Sequence, residues 1–303
     1  MTDSSIKLPR PWPEELDSFA AKIGSDKNLT QGPGGNISFK SNGILWVKAS
    51  GTHLGEALNT EIFVPVDLAE ALSNLRNGLE KTNSISNLDR NNLRPSIETL
   101  MHAQIRAPIV AHVHSLGAMT LAIQRNQSEL IRQCEHIARI VSVPYARPGL
   151  ELSREIEKVY DSKANGLLLG NHGLTVWAED WQDCYDLITN LENYWTISHS
   201  ELSHSSNMWS EILINGIVFP DEVVFLGRNP FKKILNANSA KELLTDIALE
   251  NLDKSPWLRD LVDILEKVVR SISDERNVNY LSQAEIDSLQ NWEAEKYRLQ
   301  KNE

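Results

Sequence analysis

His112 and His114 in VAHVHS, His172 in LLLGNHGL and Glu98 in PSIETLMH are the side chains in this sequence whose types and spacing can act together chemically. A strand turns successive side chains to opposite faces, so His112 and His114 point the same way with their imidazoles side by side. Such a pair can chelate one divalent ion. His172 ends a second apolar run and stands between Gly170, one residue removed, and Gly173, where backbone can approach closely and deliver a third nitrogen. Three protein ligands plus an open position is the pattern of catalytic zinc, while structural zinc is usually closed by four ligands. An HxH pair alone is as often two buried histidines satisfied by hydrogen bonds. The third histidine favours a metal.

A bound metal with an open position is a Lewis acid, and a ketose offers it a carbonyl and a neighbouring hydroxyl that chelate in a five-membered ring. Glu98 lies near a predicted helix N-terminus, and that helix can fold back to set the carboxylate beside the metal. It then serves as general base, or acid in reverse, at the carbon next to the carbonyl. Without the histidines, Glu98 would read as an acid favoured by the helix macrodipole. His53, His102, His136, His199 and His204 have no comparable pairing and read as structural or surface residues. The glycine cluster Gly32, Gly34 and Gly35 fails GxGxxG, because Ile37 stands at the last glycine position. Its turns present either amides to a small anion or a tight hairpin entry. No Walker pattern and no GxSxG elbow occurs.

The elements that must carry these residues alternate irregularly. Pro11 and Pro13 open an amphipathic helix, Glu14 to Ile23, followed by a strand pair, QGPGGNISF and ILWVKASGT, that turns near Asn42-Gly43. Asp67 to Leu75 reads as a helix and Asn77 to Asn92 as a polar loop. A helix starts at Pro95-Ser96, and IVAHVH is a strand. Helical patterns over Gly117 to Ile123 and Ser128 to Ile140, a strand VSVPY, a helix over Glu151 to Lys163, strands GLLLG and LTVWA, and a helix from Trp181 to about His199 follow. Beyond Ser210, after IVFPDEVVFLG, the chain is charged and helical, with a capping box at Ser282 and Glu285. The division expected is a catalytic domain over 1–210 and a C-terminal helical extension over 211–303.

At 303 residues with 41% hydrophobic content, the chain is large enough to bury a core without disulfides. Cys134 and Cys184 lack metal or redox spacing and are expected to pack in the core of a protein from a reducing compartment. The N-terminus lacks a signal-peptide pattern and no apolar run spans a bilayer, which points to the cytoplasm. A net charge of −11 without a basic stripe argues against nucleic acid and anionic membranes as partners.

The ordered set GGNIS, KASGT, PSIETLMH, VAHVH, PYARPG and LGNHGL, spread over Asn28 to His199, resembles the class II aldolase/adducin family. With the FPDEVVFLG segment, the likeness is greatest to the aldolase half of bifunctional rhamnulose-phosphate aldolase/alcohol dehydrogenases. The resemblance implies an α/β fold of three layers, α/β/α, with a central, mainly antiparallel sheet. It also implies a homotetramer with active sites between subunits. It carries metal ligation to His112, His114 and His172, acid/base work to Glu98, and the proton on the aldehyde oxygen to Tyr145 of PYARPG, delivered to a neighbouring subunit. Asn36, Ser50, Gly51 and Ser96 match positions that hold the substrate phosphate. Two departures stand out: Pro33 replaces a frequent threonine and Ile97 replaces a serine beside Ser96. The substrate is then either unphosphorylated or has its anion handled differently, through Lys48.

The expected function is a divalent-metal-dependent aldolase, with Zn2+ or another divalent ion, that cleaves a ketose or ketose phosphate through a metal-stabilised enediolate. The rivals are a sugar-phosphate dehydratase or epimerase using the same site, and a non-catalytic adducin-like assembly protein. Retention of all three histidines disfavours the last.

Overall fold

The computed structural model describes residues 10–89, 91–200, 208–234 and 237–302, with backbone alone over 198–200. Its centre is one sheet of seven strands: β1 (Asn36–Ser41), β2 (Ile44–Lys48), β3 (Phe63–Asp67), β4 (Ile109–Val113), β5 (Ile140–Val143), β6 (Gly166–Leu169) and β7 (Gly173–Ala178). They lie in the order β3-β2-β1-β4-β7-β6-β5. Every neighbouring pair is antiparallel except β5 with β6. β1 and β2 form the expected hairpin, in which Ser41 pairs with Ile44 across Asn42 (φ 51°) and Gly43 (φ 77°). Two central residues with positive φ make the turn whose twist matches the strands.

β3 is the strand that pattern reading misses, because Pro65 interrupts it. A proline cannot donate to a ladder, so it is tolerated where one side of the strand is unpaired. β3 is that edge, with Pro65 opposite Trp46.

Helices cover both faces. α1 (Glu14–Ser25), α4 (Leu116–Ala122) and α7 (Trp181–Ser200) pack on one face, where Leu16, Ile23, Ile37, Ala111, Val176 and Trp195 join a single core. On the other, α2 (Leu68–Asn77), α3 (Thr99–Gln104) and α6 (Leu150–Val159) cover Leu45, Val47, Val110 and Leu167. This is the expected three-layer α/β/α arrangement. The helical pattern over Ser128 to Ile140 does not hold together: it resolves into α5 (Gln127–Leu130) and a 3-10 turn at Ile131–Cys134. The amides of Ile137 and Ala138 both donate to Cys134 O, closing the turn so that the chain can enter β5. Cys134 and Cys184 are buried and free.

The C-terminal helices are α8 (Met208–Asn215), which runs across the boundary expected at 210, a π-helical turn at Glu222–Leu226, α9 (Ala240–Leu243), α10 (Asp246–Lys254), α11 (Leu258–Arg270), α12 (Gln283–Asn291) and α13 (Glu293–Gln300). Ser282 and Glu285 form the capping box expected for α12. The extension shares a core with the sheet domain, since Met119 and Ile123 pack among Trp209, Phe219, Leu261 and Leu265. Backbone bonds from Arg125 N to Asn277 O and from Asn279 N to Ile123 O, each 2.7 Å, join the two. No helix among the described residues is long and apolar enough to cross a membrane.

Glu222 is fully buried where the π-helical turn begins, with Oε1 accepting from Val218 N (3.0 Å) and Phe219 N (2.9 Å) and Oε2 without a partner. Burial pushes its carboxyl up to about 8. The fold therefore favours the neutral acid, while the unfolded chain ionises it near its ordinary 4.5. The associated stability is fully present below 4.5 and is lost as pH rises through 8. Glu222→Gln keeps the acceptor and removes the titration, so thermal denaturation should show the parent losing stability relative to the variant between pH 4.5 and pH 8. Parallel curves would refute this.

Candidate functional site

The site lies where β4 ends beside the β6–β7 turn. Pairing of β4 with β7 sets His112 opposite Thr175 and Val113 opposite Leu174, so the residues after β4 reach the turn that holds His172. The flanking glycines are required for that approach. A Cβ on Gly173 would stand 2.4 Å from Val113 O, and one on Gly170 would stand 2.8 Å from Tyr145 N. Between them Asn171 adopts φ 50°, and its Nδ2 donates to Val218 O (2.9 Å) and Asn279 O (2.7 Å). The extension thus fixes the turn.

The three imidazoles are buried and offer nitrogens that all lie within 4.8 Å of one another. His112 Nδ1 donates to Leu174 O (3.1 Å), beside Thr175 Oγ1 at the same distance, which leaves Nε2 as a lone-pair donor. His114 Nδ1 faces Asp221 Oδ2 at 3.2 Å, leaving its Nε2 likewise. The two Nε2 atoms stand 3.1 Å apart. With Zn–N bonds of about 2.0–2.1 Å, tetrahedral ligands sit roughly 3.3 Å from each other, so this separation fits one shared ion. Burial outweighs the neighbouring carboxylates and lowers His112 and His172 to about 4, and it lowers His114 too. All three are neutral at physiological pH, as ligation requires.

Glu98 sits at the N-cap of α3 yet makes no capping bond with its side chain. Its carboxylate turns inward instead: Oε2 is 3.7 Å from His112 Nε2 and Oε1 is 3.7 Å from His172 Nε2. Oε2 accepts from Asn36 Nδ2 at 2.6 Å, while Oε1 is buried without a hydrogen-bond partner. Burial alone would raise this carboxyl. His112 and His172, which carry charge only in the acid range where Glu98 titrates, and the Asn36 amide outweigh it and hold the group down to about 2.

Asn36 is spent on this arrangement. Its Oδ1 accepts from His102 Nε2, and His102 Nδ1 meets Ser38 Oγ at 2.8 Å. Burial lowers His102 to about 3, so it is neutral and anchors Asn36, which anchors Glu98. His102, expected to be a structural or surface residue, is buried behind Asn36 and bears directly on the site. His53 bonds Asn302 (2.8 Å) and His136 packs on Tyr194. His204 and the side chain of His199 lie outside the described residues.

Of the other expected residues, Ser50, Gly51 and Ser96 line the same cavity as Asn36, Glu98, His114 and His172. Tyr145 is not among the lining residues. It packs on Ile217, Val223, Leu281, Ile286 and Leu289, with a hydroxyl that is covered and unpartnered. The glycine segment serves close packing: a Cβ on Gly35 would meet His112 O at 2.8 Å, and one on Gly32 would enter the Trp257 ring. Pattern reading gave no sign of Asp221, Glu295 and Arg298, which the extension adds to the cavity wall. Arg298 Nη1 pairs with Asp221 Oδ1 at 2.8 Å, so Asp221 bridges the arginine and His114. The residues just after α13 cover the Ser50-Gly51 turn, with Asn302 Nδ2 donating to Gly51 O (3.2 Å). The cavity is narrow, about 30 Å³, with Glu295 and Arg298 of α13 on its wall.

The class II aldolase and adducin N-terminal domain matches residues 15–199, and the chain belongs to that family. A Bacillus subtilis protein described as an uncharacterized oxidoreductase, YuxG, is 29% identical over 214 residues, 64% of this chain, and this chain spans 31% of its length. The methylthioribulose-1-phosphate dehydratase of Klebsiella pneumoniae is 26% identical over 208 residues, 60% of this chain and 93% of its own. The N-terminal class II aldolase domain of a Thermoplasma acidophilum protein shares the fold, with a TM-score of 0.51 and 24% identity over 64% of this chain and 99% of that one.

The purified protein should bind one divalent ion per chain, read by elemental analysis after dialysis. Asp221→Asn, which weakens the support of His114, should lower affinity by about 10–100-fold in a chelator competition, and His172→Ala by more. Parent-like affinity in His172→Ala would exclude the three-histidine centre.

Proposed function

We propose that this chain is a divalent-metal-dependent aldolase acting on a ketose or ketose phosphate. The observation that carries this reading is the placement of Glu98, an ionised carboxylate 3.7 Å from two of the three ligand nitrogens and fixed by Asn36. His112, His114 and His172 would hold the ion, zinc by the chemistry of a three-imidazole set with an open position. Bound there, it supplies a Lewis acid to a carbonyl and its neighbouring hydroxyl. Glu98 handles the proton on the carbon between the carbonyl and the bond made or broken. Ionised, it can take that proton in the condensation direction, and in cleavage it returns the proton. Tyr145 is proposed for the proton on the aldehyde oxygen of a neighbouring protomer within a homotetramer, which requires the assembly to uncover its hydroxyl. The catalytic unit is proposed to span 1–210, with the extension over 211–303, in a cytoplasmic enzyme without nucleic-acid or membrane partners.

The likeness to methylthioribulose-1-phosphate dehydratase supports a second reading, loss of water from a sugar phosphate after the same proton removal. Product identity separates the two: aldehyde release marks cleavage, and an intact carbon skeleton lacking water marks dehydration. With a panel of ketoses and ketose phosphates, Glu98→Gln should lower aldehyde release by about 10²–10⁴-fold while metal content stays at that of the parent. Parent-like turnover in that variant removes Glu98 from the mechanism.

A further inference from the structure

A cleft of about 380 Å³ opens within the C-terminal extension. α13 is the partition between it and the histidine cavity: Arg298 lines the cavity, Lys296 and Leu299 line the cleft, and Glu295 lines both. Every residue lining the cleft lies between Val223 and Asn302, outside the residues 15–199 that match the family. Its walls are mainly apolar, from Phe225 and Leu226 of the π-helical turn, Trp257 and Leu258 where α11 starts, Leu289 of α12 and Leu299 of α13. Ile247 of α10, 70% exposed, carries the apolar surface out to solvent. Protein interiors are close-packed, so an apolar recess of this size leaves contacts unmade and offers water few hydrogen bonds. Its volume is that of a small-molecule site.

The polar groups of the wall decide what kind of molecule fits. The neutral ones are spent within the chain: Ser255 Oγ donates to Asn302 O (2.8 Å), Asn302 Nδ2 to Gly51 O (3.2 Å) and Asn251 Nδ2 to Phe225 O (3.3 Å). Two cations are free. The lysines in ion pairs among the described residues are Lys27, Lys158 and Lys232, so Lys254 and Lys296, both exposed and both lining the cleft, have no carboxylate partner there. The chain carries a net charge of −11, which repels anions in general, and two unpaired ammoniums at an apolar opening reverse that locally. Glu295 is the one carboxylate in the wall. It is 3% exposed, its Oε2 faces Arg298 Nη1 at 3.4 Å, and burial raises its carboxyl, so its charge is both offset and weakened.

We propose that this cleft is a second ligand site, which takes a small monocarboxylate with an apolar body, the body packed on Phe225, Trp257 and Leu299 and the carboxylate at the mouth beside Lys254 and Lys296. The apolar wall supplies affinity, and the lysines select the sign of the charged end. A ligand seated there braces the face of α13 opposite the catalytic cavity. The assignment is independent of which reaction the histidine site performs.

The test is calorimetric titration of the full chain with octanoate, and separately with octylammonium, which keeps the apolar body and reverses the charge. The parent should bind one octanoate per chain and bind octylammonium at least about tenfold more weakly. Two variants change exposed residues and leave the core alone. Lys254→Glu combined with Lys296→Glu reverses the charge of the mouth, and Ile247→Asp puts a carboxylate on its apolar lip. Each should weaken octanoate binding by about tenfold or more, while thermal melts and ion content stay at those of the parent. Octanoate binding that is unchanged in either variant lies elsewhere and overturns the assignment, as do equal affinity for octylammonium and the lack of saturable binding by the parent.

Discussion

The register between β4 and β7 is the constraint on which the site depends. It sets His112 opposite Thr175 and so puts the end of β4 against the turn holding His172. A slip of one residue would send His112 into the apolar layer under α4 and α7 and expose Val113 or Ala111 to the cavity. The slip is resisted because Ala111, Val113, Leu174 and Val176 belong to one buried core. Packing on the far face of the sheet thereby fixes the direction of the ligands on the near face.

Fixing the direction of an imidazole is not enough to make it a ligand, because the ring can present either nitrogen. His112 is locked by the carbonyl of Leu174, and His114 by Asp221. Each lock claims Nδ1 and turns Nε2 to the shared point. The locks differ in origin: one is backbone within the sheet, the other a carboxylate from the extension. A chain from Ser38 through His102 and Asn36 holds Glu98 in the same manner. The carboxylate is thus restrained from the sheet side and the imidazoles from both sides.

The extension is bound into this arrangement instead of being appended to it. Trp257 packs where Gly32 lacks a side chain, and Arg147 lies over the Trp292 ring at 4.2 Å. Arg94 stacks on Tyr297 at 4.1 Å. These contacts hold α13 over the cavity, and with it a buried Asp221–Arg298 pair. A buried pair is weak as a source of stability but strongly directional, since losing either partner strands a charge. Its presence beside the imidazoles is explained by position more readily than by stability.

The sequence by itself picked out the three histidines that the fold brings together, the nearby Glu98, the β1–β2 hairpin and the capping box of α12, while the layered fold came from the family resemblance. The former follow from local rules: side-chain alternation in strands, helical periodicity, and the backbone freedom of Asn42-Gly43 and of the glycines beside His172. Tertiary structure alone decided that Pro65 could sit in a strand, because only an edge leaves its missing donor unneeded. It also decided that Asn36 holds Glu98, that Tyr145 is covered by its own chain's extension, and that Asp221, Glu295 and Arg298 wall the cavity. A side chain's partners across long stretches of sequence depend on how distant segments pack, and nothing in local spacing encodes that.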